Sequence, residues 1–176
     1  MINYYFGQPI YTSNFDSNLI ELSYSTHKQW ASNTTTSYLK DNKITEKSSK
    51  ILSEELFKFT KQVITKDHKI HLLEIWANEY MEKDFQEIHF HPKSHFSFCI
   101  MHKIPEGSGN LRFVNPYEDV GFEHNDIAFK HFYFETKLPQ KENLILIWPS
   151  YMKHMVTPGI NKTKRITYSG NFNIIL

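Results

Sequence analysis

A chain of 176 residues with a formal charge of +1 at neutral pH is long enough to bury a core as one domain, and carries no charge excess that would draw it to nucleic acid or an anionic membrane. Aromatic side chains form 15% of it, which suits a β-rich fold with large core residues. The single cysteine, Cys99 in "FSFCIM", excludes an internal disulfide and a thiolate zinc cluster, and reads as a small buried apolar residue.

The opening "MINYYFGQPIY" has no basic segment followed by an apolar one, so it does not read as a signal peptide. The longest pure apolar run, Leu144–Trp148, is too short to span a bilayer, and the expected setting is the cytoplasm. "FDSNLIELSYSTHKQW" (Phe15–Trp30) predicts a helix opened by Asp16 or Ser17. Polar loops are expected over Ser32–Lys50. The clearest helix runs from about Glu46 to Ile64, where Leu52, Leu56, Phe59 and Val63 form one apolar stripe.

From Lys69 the character changes. "KIHLLEIWANEY", "FQEIHFH", "HFSFCIMHK", "NLRFVNP", "KHFYFET", "NLILIWP", "HMVTP" and "KRITYSGNF" are short β-branched or aromatic runs, most of them bounded by Gly, Pro, Asn or Asp. Strands at this density predict a sandwich, jelly roll or barrel. "PEGSGN" (Pro105–Asn110) reads as a hairpin loop. The expected architecture is mainly β (α+β), one domain over 1–176, with a helix-and-loop part (1–68) packed on an antiparallel double sheet (69–176).

"EIHFHPKSHF" (Glu87–Phe96) holds three histidines. On a strand, His89 and His91 share a face, and Pro92 should end the strand or confine it to an edge. Two imidazoles at a strand end, completed by a third from elsewhere, can form a metal site. His-x-His alone is a modest signal and more often marks surface or packing histidines than a metal site. His154, after the turn that follows Trp148, is the best third candidate, although taken by itself a capping or surface role is favoured. Arg occurs only at Arg112 and Arg165. "KRITYSGNF" alternates Arg165, Thr167, Ser169 and Asn171 on one face with Ile166, Tyr168, Gly170 and Phe172 on the other. The polar face either lines a pocket, with Arg165 offering a fixed fork to a carboxylate and Thr167 a hydroxyl, or meets solvent.

His-x-His-Pro, a distal histidine on a later strand and Arg-x-Thr eleven residues after it resemble the iron(II)- and 2-oxoglutarate-dependent oxygenases. The likeness is to a small branch met in bacteria and phages. It extends over "QPIY" (Gln8–Tyr11), "WANEY" (Trp76–Tyr80), "HFHPKSHFSFCIM" (His89–Met101), "PEGSGNLRFVNP" (Pro105–Pro116) and "WPSYMKHMVTPGINKTKRITYSGNF" (Trp148–Phe172). The resemblance implies a double-stranded β-helix, a jelly roll of the cupin-like kind. It also implies hydroxylation of an unidentified small-molecule or peptidyl substrate, with release of succinate and CO2. Fe(II) would be held by His89, His91 and His154, and 2-oxoglutarate by Arg165 with Thr167 as helper.

His91 stands where the superfamily usually has Asp or Glu. An imidazole does not lower the charge of the centre, so the alternative is a carboxylate, Glu118 or Asp119, completing the triad. His95 could line the substrate mouth, though a surface role is expected. His102 has no obvious partner, and Trp76, Asn78, Tyr80 and Arg112 are candidate lining residues, for each of which a packing or surface role is favoured. Three rivals use the same histidines differently: a three-His dioxygenase of cupin type without 2-oxoglutarate, a three-His zinc hydrolase, and a non-catalytic jelly-roll binding module. No nucleic-acid or membrane partner is expected, and a homodimer is compatible with the chain.

Overall fold

The computed structural model describes all residues except 6, 30, 31 and 117–134. Its strands in chain order are β1 (Ile2–Tyr5), β2 (Gln8–Asn14), β3 (Leu22–Ser23), β4 (His27–Gln29), β5 (Thr34–Thr36) and β6 (Lys43–Ile44). After the helix α1 (Glu46–Val63) come β7 (Lys69–Tyr80), β8 (Gln86–His89), β9 (Phe96–Lys103) and β10 (Leu111–Val114). The chain continues with β11 (Glu135–Lys137), β12 (Leu144–Pro149), β13 (His154–Val156) and β14 (Arg165–Ile175). A large sheet runs in the order β1-β2-β12-β9-β14-β7-β5-β4, and a small one in the order β11-β10-β13-β8. All the paired strands are antiparallel. Together they form the jelly roll expected from strand density.

Side-chain alternation divides the large sheet into two apolar layers. Ile145 and Ile147 of β12, Phe98 and Ile100 of β9, and Tyr168 and Phe172 of β14 face outward into a cluster with Leu52, Leu56 and Phe59 of α1. Leu144, Leu146 and Trp148 of β12, with Cys99 and Met101 of β9, face inward toward Leu111, Phe113 and Val156 of the small sheet. Cys99 is buried, as its apolar neighbours imply. Gly170 of β14 leaves no room for a side chain: a Cβ there would lie 2.4 Å from the Phe98 ring of β9 and 2.5 Å from the Glu74 carbonyl oxygen of β7.

The stripe read from the sequence places α1 correctly. Thr45 caps it, accepting from the Ser48 N–H at 3.3 Å, and Glu46 occupies the first turn. Leu52, Leu56 and Phe59 are fully buried against the sheet. No helix of the described residues is long and apolar enough to cross a membrane.

Two expectations are corrected. The helix predicted over 15–30 is only a 3-10 turn, Ser17–Leu19, capped by the Asp16 side chain, followed by β3 and β4. Asp16 does cap, but too little apolar periodicity follows to carry a helix past the first turn. The N-terminal part thus contributes six strands and one helix, and four of those strands extend the large sheet. "PEGSGN" does turn the chain, with φ of 77° at Gly107, but it does not join a hairpin. It carries the chain from β9 in the large sheet to β10 in the small one. Its glycines instead admit a second loop: the Ile160 N–H donates to the Gly107 carbonyl at 2.7 Å, and a Cβ on Gly109 would lie 1.9 Å from the Thr157 carbonyl oxygen.

Candidate active site

His89 closes β8 and His154 opens β13, and the two stand directly opposite in the small sheet. β8 ends before Pro92, which cannot donate to a ladder. Beyond it the chain turns through Lys93, at φ of 73°. His91 therefore lies just past the strand, anchored by its N–H donating to the Ser150 carbonyl at 2.9 Å.

The three rings converge. Centroids lie 4.2 Å apart for His89 and His154, and 5.1 Å apart for each of the other two pairs. One ring nitrogen from each lies within 4.8 Å of the others, and Nε2 of His91 is 3.2 Å from Nε2 of His154. Donors around one metal at about 2.1 Å stand roughly 3 Å apart, so the cluster needs little contraction to hold an ion. Burial lowers the pKa of all three: His91 falls to about 4, His154 well below its usual value, and His89 in the same direction. Each imidazole is then neutral at pH 7 with a lone pair to give. The Nδ1 atoms of His89 and His154 face the carbonyl oxygens of Glu87 and Met152 at 2.8 and 2.9 Å, which turns both Nε2 lone pairs inward. Trp76 stacks on His91 at 5.6 Å, and Trp148 meets His154 edge-on at 5.0 Å.

The polar face of β14 does line the space between the sheets. Arg165 and Thr167 are each 1% exposed and share that space with the three histidines. Nη2 of Arg165 donates to the Met101 sulfur at 3.8 Å, and its guanidinium carbon lies 4.8 Å from the Tyr80 ring centroid. Among the described residues its buried Nε and Nη1 have no partner. A buried cation with unused donors is costly and calls for an anion. Burial pushes the Tyr80 phenol up to about 12, so Tyr80 stays neutral and does not answer that call.

Of the candidate lining residues, Trp76, Asn78 and Tyr80 of β7 line the space, and Arg112 on β10 does not. His95 is exposed and tied to β14, where its Nδ1 accepts from the Ile174 N–H at 3.0 Å. His102 finds Ser17 Oγ at 3.1 Å and stacks on Tyr168, away from the cluster. Glu118 and Asp119 lie outside the described residues. Sequence reasoning missed Ser97 and Gln86, which also line the space. Ser97, a lone hydroxyl in the apolar run of β9, was the one with a visible signal. An open groove of about 440 Å³ reaches the cluster past Tyr38, Glu74, Trp76, Glu87 and Phe90.

These residues suit the chemistry of an iron site beside a carboxylate-binding pocket, and comparisons with known proteins point the same way. No curated protein matches the chain. Among solved structures, an oxidoreductase of the 2OG-Fe(II) oxygenase family from Burkholderia pseudomallei aligns with a TM-score of 0.56 at 10% identity, covering 88% of this chain and 73% of that one. The viral collagen prolyl hydroxylase of Paramecium Bursaria Chlorella virus-1, as its 2OG complex, gives 0.54 at 12% identity, covering 82% and 80%. HygX from Streptomyces hygroscopicus, with nickel, 2-oxoglutarate and hygromycin B bound, gives 0.57 at 8% identity, covering 95% and 82%. At such identities the likeness is one of fold. Residues 74–171 match the family model described as "Putative 2OG-Fe(II) oxygenase". That span includes the three histidines, Arg165 and Thr167, and the chain belongs to this family of Fe(II)- and 2-oxoglutarate-dependent oxygenases.

Proposed function

We propose that the chain hydroxylates a small-molecule or peptidyl substrate, with His89, His91 and His154 as the iron ligands and Arg165 as the partner of the distal carboxylate of 2-oxoglutarate. The observation that carries this reading is Arg165, a buried guanidinium with two nitrogens unpartnered among the described residues, on the wall shared with the histidines. Bound together, iron and 2-oxoglutarate would activate O2, the oxidant: one oxygen atom would enter 2-oxoglutarate as it loses CO2 and becomes succinate, and the other would enter a substrate C–H bond to give the hydroxyl.

The protein's own contribution is arrangement. Arg165 gives a carboxylate a fixed, charged fork in a dry setting, and Thr167, two residues along the same face, adds a hydroxyl. Carbonyl acceptors behind His89 and His154 hold those rings in one tautomer and orientation. Trp76, Trp148 and Phe113 crowd the rings and exclude water, with Phe113 5.9 Å from His154. The groove past Tyr38 and Phe90 is the substrate's way in. A three-His enzyme that dispensed with 2-oxoglutarate would leave Arg165 without a task, which is why that reading ranks second.

Anaerobic addition of Fe(II) and 2-oxoglutarate should give a visible charge-transfer band, lost in Arg165→Ala and in His154→Ala. Absence of the band, together with no measurable 2-oxoglutarate binding, would sink the proposal.

A further inference from the structure

We propose that Asn171 is a positioning residue that holds His91 in the tautomer opposite to those of His89 and His154, so that His91 can bind a metal through Nε2 only by moving its proton to Nδ1. This rests on the reading of the three histidines as ligands.

Hydrogen-bond polarity carries the inference. A carbonyl oxygen only accepts, so Nδ1 of His89 and of His154, facing the carbonyls of Glu87 and Met152, must each bear a hydrogen. Nδ1 of His91 instead lies 3.1 Å from the Asn171 amide nitrogen, which only donates. The orientation of that amide is held at both ends. Its nitrogen is 2.6 Å from Glu74 Oε1, and its oxygen receives the Ser97 hydroxyl at 2.7 Å. Turning the amide over would set its oxygen against the Glu74 carboxylate.

The sheet builds this arrangement. Asn171 of β14 is the direct cross-strand partner of Glu74 on β7 and of Ser97 on β9, so the three lie in one row. Asn171 and Ser97 are 3% and 1% exposed. His91 therefore accepts at Nδ1 and carries its hydrogen on Nε2, which points at the Nε2 lone pair of His154 at 3.2 Å. Asn171 donates to both Glu74 and His91, and His91 donates to His154.

The third ligand is thus withheld, where the other two are set. An imidazole that donates its far N–H to an acceptor is the stronger ligand. With its proton on Nδ1, His91 would face another N–H instead. Asn171 thereby weakens the hold of this position on a metal.

Two experiments test this, and the first needs no variant. Long-range ¹H–¹⁵N correlation spectra of the metal-free protein should show His89 and His154 protonated at Nδ1 and His91 at Nε2. Protonation of His91 at Nδ1 would overturn the assignment. The second is the paired exchange Glu74→Gln with Asn171→Asp, which keeps both shapes and reverses the polarity of the bond to His91. It should move the His91 proton to Nδ1 and tighten Co(II) binding, read by calorimetry, by about tenfold or more. An unchanged tautomer, or unchanged or weaker Co(II) binding in a variant with wild-type circular dichroism, counts against Asn171. His154→Ala should abolish Co(II) binding in both backgrounds. Binding that survives that change overturns the ligand reading itself, whereas binding lost there, with the paired exchange silent, overturns only the role of Asn171.

Discussion

The two faces of the large sheet use the same strands for opposite ends. Outward, Phe98, Ile100, Tyr168 and Phe172 pack on Leu52, Leu56 and Phe59 of α1 in a layer dominated by apolar groups. Inward, near the open end, Arg165, Thr167, Asn171 and Ser97 are almost as deeply buried, yet polar. The outer face contributes stability through area removed from water. The inner face gives some of it up, since a buried guanidinium with donors unmatched among the described residues is costly. Strand alternation keeps the two tasks one residue apart along β14 without mixing them.

That contrast can be broken by changing one face at a time. Phe59→Ala, on the outer side, should cost about 3–5 kcal/mol of unfolding free energy. Chemical denaturation should show this loss, while Co(II) binding to the fraction that stays folded is preserved. Arg165→Met, on the inner side, should do the reverse. Calorimetry should find 2-oxoglutarate affinity reduced by roughly a hundredfold, about the worth of a charged bidentate bond. The thermal midpoint should hold or rise, because a buried cation has been replaced by an apolar chain of similar length. A fall of many degrees in that midpoint would mean that Arg165 is a structural member of the core, and the division between faces would fail.

Acid sharpens the comparison. His91 has its pKa lowered to about 4 by burial, and His89 and His154 are lowered for the same reason. As pH drops through about 6.5 the unfolded chain takes up these protons while the folded one does not. The stability of the metal-free protein is therefore full above that point and is lost as pH falls toward 4. The thermal midpoint should decline across this window, less steeply in His91→Gln. The smallest effect should come from Thr167→Val, which removes one hydroxyl from the pocket. A loss of about fivefold in 2-oxoglutarate affinity, near 1 kcal/mol, is expected from titration.

How much of this was legible in the sequence follows from which forces act locally. β7 to β14 were readable because alternation and turn residues are local signals, and His89, His91 and His154 sit where those signals end. β11 is described only over Glu135–Lys137, so the strand expected from Lys130 lies partly outside the described residues. β1 to β6 were not readable. They are two to seven residues long and mostly polar, and they are strands because a neighbouring edge pairs with them. The fate of "PEGSGN" was hidden for a similar reason: its glycines specify a turn but not which sheet the next strand joins. Arg165 could be placed on a polar face, but whether that face met solvent depended on the small sheet lying over it. Glu74 gave no sign, since its tie to Asn171 exists only through the register of β7 against β14.

The His89–His154 pair also bears on how the molecule is made. His91 and His154 are separated by 63 residues of chain, and His89 and His154 become neighbours only when β8 and β13 zip together. A long loop must close before either contact repays its entropy. On the proposed assignment of these histidines as ligands, iron can seize only a chain whose topology is already complete. Metal added during refolding should leave the folding rate untouched and slow unfolding instead, acting as a latch on the finished jelly roll.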